Sequence, residues 1–343
     1  MTSVPRPPLV AALERGPLVL DGGLSNQLQA QGCDLSDELW SARLLADDPA
    51  QIEAAHTAYA RAGARVLITS SYQATYEGFA RRGVGQEEAT ALLRRSVELA
   101  RAGAERVAAE GTAAEGTAAE GAAAEGTAAE RPVAEGAAAG GRGARPVWVA
   151  ASVGPYGAML ADGSEYRGRY GLSVAELERF HRPRIEALAA AGPDVLALET
   201  VPDADEAAAL LSAVEGCGVP VWLSYSIAGE ATRAGQPLRD AFALAAGVDQ
   251  VIAVGVNCCE PGDADRAVEI AADTTGKPVV VYPNSGEEWD AATSSWRGRA
   301  TFDPGRVSAW HDAGARLIGG CCRVGPERIA ELAAVVRNHE VPW

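Results

Sequence analysis

Apolar positions in this chain gather in short, strand-sized runs separated by longer stretches with helical spacing. Eight runs read as strands, at 17–21, 65–70, 147–151, 194–199, 219–225, 251–256, 278–282 and 316–319. Helical stretches follow each of them, near 49–62, 86–108, 173–191, 203–214, 236–247, 262–273, 303–313 and 326–337. One junction recurs along the chain: a helix-ending glycine placed just before an apolar strand. Gly63 precedes Val66-Leu67-Ile68, Gly192 precedes Val195-Leu196, and Gly314 precedes Leu317-Ile318, with variants at Gly218 and Gly276.

Regular alternation of helix, glycine turn and apolar strand predicts a parallel α/β protein. Eight such units predict a (β/α)8 TIM-type barrel, whose functional residues come from loops at the C-terminal strand ends. A doubly wound open sheet is the alternative, and it is disfavoured because neither Gly-x-Gly-x-x-Gly nor a P-loop pattern is present. The stretch 108–143 does not fit the barrel pattern. It repeats alanine, glutamate, glycine and threonine in pentads, and such side chains bury too little apolar surface to offset ordering entropy. It reads as a disordered low-complexity insertion in a single domain spanning 1–343; part of it can extend the second helix, but glycine every five residues is expected to break that helix.

The barrel brings sequence-distant residues to one mouth. Cys258-Cys259 closes the sixth strand and Cys321-Cys322 the eighth, after Gly319-Gly320. Thiolates collected from two strand ends suit a soft metal, zinc above all, and three thiolates with one open position make a catalytic pattern. Buried free cysteines, a vicinal disulfide and a closed structural zinc site are the competing readings. Neighbouring strand side chains face opposite ways, so paired cysteines converge only where the backbone leaves strand geometry, which the glycines ease. Asp21, before Gly22-Gly23, ends the first strand, and Glu199 ends the fourth. The two carboxylates suit an ammonium group, and glycine N–H groups suit a carboxylate; as alternatives, both acids are helix caps. The Gly154-Pro155 turn and a polar segment, 162–168, lie over the same mouth. His56, His181 and His311 fall in helices, away from it.

Composition narrows the functional classes. A hydrophobic fraction of 48% with 22% charged residues describes an ordinary globular chain with a sizeable core. A net charge of −16 argues against nucleic acid and anionic membrane as partners. No signal-peptide apolar region precedes Pro8, so a cytoplasmic location with reduced thiols is expected.

Several stretches in order resemble the homocysteine S-methyltransferase family: Leu20 to Gly23, Ser71 to Thr75, Ala151 to Gly157, Glu199-Thr200, Gly255 to Cys258 and Gly319 to Arg323. The segments Ser71 to Thr75 and Val281 to Glu287 are most similar to its S-methylmethionine-dependent branch. The resemblance implies a (β/α)8 barrel with one zinc ion on Cys258, Cys321 and Cys322. It implies homocysteine bound by Asp21, Glu199 and the backbone near Gly22 and Gly23, with Ser152 and Asn257 also substrate-binding. Cys259 departs from the pattern, and whether it reaches the metal is left open by sequence. The expected reaction moves a methyl group from a sulfonium donor (S-methylmethionine, or S-adenosylmethionine) to the homocysteine thiol, giving methionine. Trp40, Tyr72, Tyr156 and Tyr282 are candidates to face the donor cation. Rival readings are a betaine-dependent enzyme, a selenocysteine methyltransferase and a non-catalytic zinc or thiol sensor. Donor preference and oligomeric state are not set by the sequence.

Overall fold

In the computed structural model, residues 6–36, 39–124, 145–290 and 295–339 are described, with backbone alone for Trp40, 112–124, 288–290, 295 and 296. All eight apolar runs are strands: β1 (Leu18–Val19), β2 (Val66–Ile68), β3 (Trp148–Val153), β4 (Val195–Val201), β5 (Val221–Tyr225), β6 (Val251–Asn257), β7 (Val279–Tyr282) and β8 (Ala315–Ile318). They pair in parallel in the order β1-β8-β7-β6-β5-β4-β3-β2. The ring closes where Leu20 bridges Val66, with Arg65 N–H donating to Val19 O at 2.7 Å and Asp21 N–H to Val66 O at 3.1 Å. The expected (β/α)8 barrel is present.

Each strand is followed by a helix on the outside: α1 (Pro49–Arg61), α2 (Gln86–Ala124), α3 (Val174–Ala189), α4 (Ala204–Val214), α5 (Leu238–Ala246), α6 (Pro261–Thr275), α7 (Arg306–Asp312) and α8 (Pro326–Val336). The two-residue period of the strands sorts side chains into two cores. Leu18, Leu20, Trp148, Ala150, Val195, Ala197, Trp222, Ala253, Val280 and Leu317 fill the barrel interior. Val19, Leu67, Val149, Leu196, Leu223, Val254, Val281 and Ile318 belong instead to the larger cluster shared with the helices. A short helix, Leu9–Leu13, joins the inner cluster and closes the end where the strands begin, and Trp148 Nε1 donates to Pro7 O at 2.9 Å. The opposite end is left for chemistry.

One expectation needs correction, and one set of elements is new. The glycine pentads do not break the helix at 108: α2 runs on to Ala124, and 125–143 lies outside the described residues. Alanine has the strongest helix propensity, and several alanines per pentad offset the cost of one glycine, about 1 kcal/mol. Short elements in the loops after the strands also escaped the pattern: helices Leu24–Ala30, Tyr76–Arg81 and Tyr156–Leu160, and the hairpins Ile227–Ala228 with Ala231–Thr232 and Glu288–Asp290 with Ser295–Arg297. Each is too brief to display a period.

Candidate functional site

Following each inward-facing series towards the C-terminal strand ends leads from apolar to polar residues. Trp148 and Ala150 give way to Ser152, Val195 and Ala197 to Glu199, Trp222 to Ser224, Ala253 to Asn257, and Val280 to Tyr282. These polar groups form one hydrogen-bonded layer. Ser152 Oγ donates to Glu199 Oε1, and Tyr282 OH donates to Glu199 Oε2 at 2.9 Å. Trp222 Nε1 in turn donates to Tyr282 OH at 3.2 Å. Asn257 Oδ1 accepts from Thr200 N–H and from Ser224 Oγ, each at 2.7 Å, while its Nδ2 donates to Thr200 Oγ1 at 2.7 Å. Asn257 therefore braces the backbone beside Glu199, where Thr200 adopts a left-handed φ of 58°. Both ends of its amide face protein groups.

Asp21 reaches the same layer from the β1 end. Its Oδ2 accepts from Ile68 N–H at 2.8 Å, whereas its buried Oδ1 has no hydrogen-bond partner among the described residues. Burial pushes its carboxyl well above the usual carboxylate range, against the Ile68 hydrogen bond, and the nearby Glu199 adds to the rise. Glu199 is itself pushed up to about 7 by burial, with the Ser152 and Tyr282 hydrogen bonds pulling the other way. Two buried acids facing one another are poised for a cation that brings N–H donors.

The thiols of Cys258, Cys321 and Cys322 converge, with their sulfurs all within 4.8 Å of one another and Cys258 Sγ 2.6 Å from Cys321 Sγ. Cys258 turns out of β6 through a left-handed φ of 48°. The loops carrying them are tied together: Cys321 N–H donates to Pro283 O at 2.8 Å, Cys322 N–H to Asn284 Oδ1 at 3.1 Å, and Asn284 N–H to Cys259 O at 2.9 Å. Cys322 is the thiol held well below its ordinary range, its sulfur taking hydrogen bonds from Cys258 and Cys321. Cys259 is fully buried in the outer core and stands apart from the three.

The glycines serve space rather than left-handed backbone. A Cβ on Gly319 would lie 2.5 Å from Leu20 Cβ, and one on Gly320 would lie 2.2 Å from Val324 Cγ1. A Cβ on Gly22 would meet Val324 O at 2.1 Å, and one on Gly23 would meet Cys321 O at 2.7 Å. The β1 and β8 loops thus pack backbone to backbone. Gly23 N–H donates to Val324 O at 3.0 Å, so of the two glycines it is Gly22 whose N–H has no acceptor among the described residues.

Over this layer lies the segment after β3. Its 3-10 turn, Ser164–Tyr166, presses against Gly157, where a Cβ would meet Glu165 N at 2.4 Å. The Tyr166 phenol lies against the Cys258 thiol and Tyr72 lies against Thr200, so both tyrosines border the thiols. Tyr72 also packs against Gly154, with its Cδ2 and Cε2 2.6 Å from where a Cβ would sit. The sequence singled out Tyr72 but neither Glu165 nor Tyr166, which lay in a segment marked only as polar. Tyr282 offers its phenol and not its ring face, since the ring is buried edge-on to Trp222 at 6.3 Å. Tyr156 packs at a tilt against Tyr170 and edge-on against Phe180, with ring centroids 5.2 and 4.8 Å away, behind that segment. The Trp40 side chain lies outside the described residues, although its backbone opens the turn Trp40–Arg43.

The donor set fits a metal. Tetrahedral ligands about 2.3 Å from zinc stand roughly 3.8 Å apart, and three sulfurs within 4.8 Å reach that arrangement by small side-chain rotations. Cys258 is buried while Cys321 and Cys322 are half-buried, so the open side of the trio faces the barrel mouth. No helix among the described residues is long and apolar enough to cross a membrane.

A family model described as homocysteine S-methyltransferase matches residues 18–336. The chain is 43% identical to the Escherichia coli homocysteine S-methyltransferase over 333 residues, 95% of this chain and 98% of that protein. It is 37% identical to the selenocysteine methyltransferase of Astragalus bisulcatus, covering 94% of each. The crystal structure of the metallated homocysteine methyltransferase MmuM from Escherichia coli superposes with a TM-score of 0.79 at 41% identity, covering 96% of this chain and all of that one. A barrel with a three-thiol cluster at its mouth, matched along nearly its whole length, belongs to the homocysteine S-methyltransferase family of enzymes.

Proposed function

We propose that this enzyme transfers a methyl group from a sulfonium donor, S-methylmethionine in the first place, to the sulfur of homocysteine, with zinc held by Cys258, Cys321 and Cys322. The observation that carries the proposal is the convergence of three thiols beside a buried Asp21 oxygen that lacks a partner and a buried Glu199. A site for a soft metal next to a site for an ammonium group matches a thiol amino acid.

Asp21 Oδ1 and Glu199 receive the homocysteine ammonium, and Gly22 N–H, which unlike Gly23 N–H is not used by Val324 O, takes its carboxylate in this reading. Ser152 and Tyr282 hold the Glu199 carboxylate in one orientation, so the substrate chain points towards the thiols. A free thiol of this class has a pKa of about 8.5 and is mostly protonated at neutral pH. When bound, zinc supplies the Lewis acidity that makes the thiolate the prevailing form. The homocysteine sulfur then forms a bond to the donor methyl carbon as the bond from that carbon to the donor sulfur breaks. The electron pair stays with the donor sulfur, which becomes a neutral thioether, so S-methylmethionine and homocysteine give two methionines and the proton released when the thiol ionises. Because an anion and a cation are both neutralised, water exclusion around the thiols by Tyr72 and the turn that carries the buried Glu165 favours the step.

A methyl-transfer assay on reduced, zinc-loaded protein tests this reading, with S-methylmethionine, S-adenosylmethionine and betaine compared with and without a chelator. Chelator-sensitive methionine formation, fastest with S-methylmethionine, is expected. Preference for betaine overturns the donor assignment, and turnover unaffected by metal removal overturns the zinc. Likeness to the selenocysteine methyltransferase favours a second acceptor, so selenocysteine belongs in the same assay.

A further inference from the structure

The acids assigned above belong to the acceptor. Two further buried acids have an oxygen unpaired among the described residues: Glu206, which is tied to His181 and Tyr156 N–H behind the mouth, and Glu165, which lies beside the thiols. Glu165 is 7% exposed, and its Oε2 is fully buried with no hydrogen-bond partner among the described residues. It sits on the turn above the thiols, close enough to Tyr72, Cys258 and Cys322 to act on them electrostatically. Its backbone is fixed, because Gly157 packs against Glu165 N and Gly168 N–H closes the turn on Ser164 O at 3.0 Å. Leaving a buried carboxylate oxygen unpaired is costly, so such a group in a mouth marks the place of a ligand. The next residue, Tyr166, lies under Arg233, whose guanidinium carbon is 5.7 Å from the ring centroid. Arg233 Nε donates to Ser226 Oγ at 3.3 Å, and Arg233 makes no ion pair among the described residues.

We propose that Glu165 and Arg233 form a second amino-acid subsite, which holds the ammonium and the carboxylate of the methyl donor. This rests on the sulfonium-donor reading above and deepens it. The chemistry discriminates among cations. A sulfonium or a quaternary ammonium has no N–H and cannot satisfy the Glu165 oxygen, whereas a primary ammonium brings three donors. The unpaired oxygen therefore calls for a donor that is itself an α-amino acid. Arg233 matches the carboxylate of that amino acid, and Tyr166, beneath Arg233 and against Cys258, places an aromatic ring beside the passing sulfonium.

The test compares S-methylmethionine with dimethylsulfoniopropionate, a sulfonium that has a carboxylate and no ammonium. Wild type, Glu165→Gln, Glu165→Asp and Arg233→Met are assayed with homocysteine, and S-methylmethionine binding is titrated calorimetrically without acceptor. Glu165→Gln is expected to raise the S-methylmethionine KM and Kd about tenfold or more, the worth of a hydrogen bond to a charged group. Preference for S-methylmethionine over dimethylsulfoniopropionate falls by the same factor, homocysteine KM stays within about twofold, and Glu165→Asp recovers part of the loss. Arg233→Met weakens both donors, since both carry a carboxylate. A Glu165→Gln enzyme with altered homocysteine KM and unaltered donor KM, or with neither altered, overturns the subsite while the donor reading stands. A wild type that methylates homocysteine from betaine alone overturns both, because betaine offers no N–H.

Discussion

Tyr282 at the end of β7 donates a hydrogen bond to Glu199 at the end of β4, reaching across the barrel at 2.9 Å. The same phenol accepts from Trp222 Nε1 of β5 at 3.2 Å, so one hydroxyl links three strands to the acid proposed to hold the substrate. Tyr282→Phe removes both bonds and leaves the buried Trp222 N–H and a Glu199 oxygen unpaired. The expected cost is about 1–3 kcal/mol of stability, with a raised homocysteine KM and little change in donor KM. Urea unfolding and steady-state kinetics on the variant check both halves.

Burial raises the Glu199 carboxyl from its ordinary 4.5 to about 7, and Asp21 is raised as well. An ammonium ligand favours the ionised acids, so below about pH 7 binding must first remove a proton. Methionine keeps the ammonium and lacks the thiol, which isolates this effect. Its affinity is expected to fall about tenfold for each pH unit below about 7, and Glu199→Gln should flatten the profile at low affinity. The sign for the ligand-free protein is opposite. A carboxyl raised in the folded state contributes stability in full below pH 4.5 and loses it as pH rises through about 7. Glu199→Gln therefore unfolds at a higher temperature than wild type at pH 8 without ligand, which a thermal scan measures.

The barrel was legible because its signal is repeated eight times, and a strand boundary misplaced by one or two residues does not disturb the count. The polar layer was half legible. Glu199, Ser152, Asn257 and Tyr282 stand in the last inward position of their strands, which period-two counting identifies once the strands are known. Their division of labour was not legible: Asn257 holds Thr200 and Ser224, and Tyr282 holds Glu199, so each acts through protein partners that only the fold brings near. Glu165 and Tyr166 were missed because a three-residue turn has no period, and their burial depends on the Gly157 contact. The extent of α2 through 108–124 was only partly legible, because regular glycines obscure the alanine content that carries the helix.

Gly255 on β6 lies where a Cβ would come 1.8 Å from Val280 O on the neighbouring strand. That neighbour is backbone and cannot rotate aside, so Gly255→Ala forces β6 from β7 just below the cysteine that β6 carries. Overpacking of this kind costs about 1–3 kcal/mol or more. The expected outcome is a lower unfolding midpoint together with weaker metal retention, read by equilibrium unfolding and by metal analysis after dialysis. A variant with wild-type values for both would show that the strands separate freely there.

The four clustered cysteines divide into a trio and an outsider, and the division predicts opposite results from the same substitution. Cys258, Cys321 and Cys322 face one another at the mouth, while Cys259, adjacent in sequence, points into the core between barrel and helices. The left-handed turn at Cys258 is what sends neighbouring side chains to different environments. Cys321→Ala or Cys322→Ala removes one of three metal donors and is expected to abolish stoichiometric zinc and methyl transfer together. Cys259→Ala removes one buried sulfur, for which a loss of about 1 kcal/mol of stability is expected, and retains one zinc per chain. Metal content by elemental analysis on all three variants decides the matter. Loss of zinc from Cys259→Ala, with a fold intact by circular dichroism, would make the buried thiol a ligand and require the β6 loop to rearrange on metal binding.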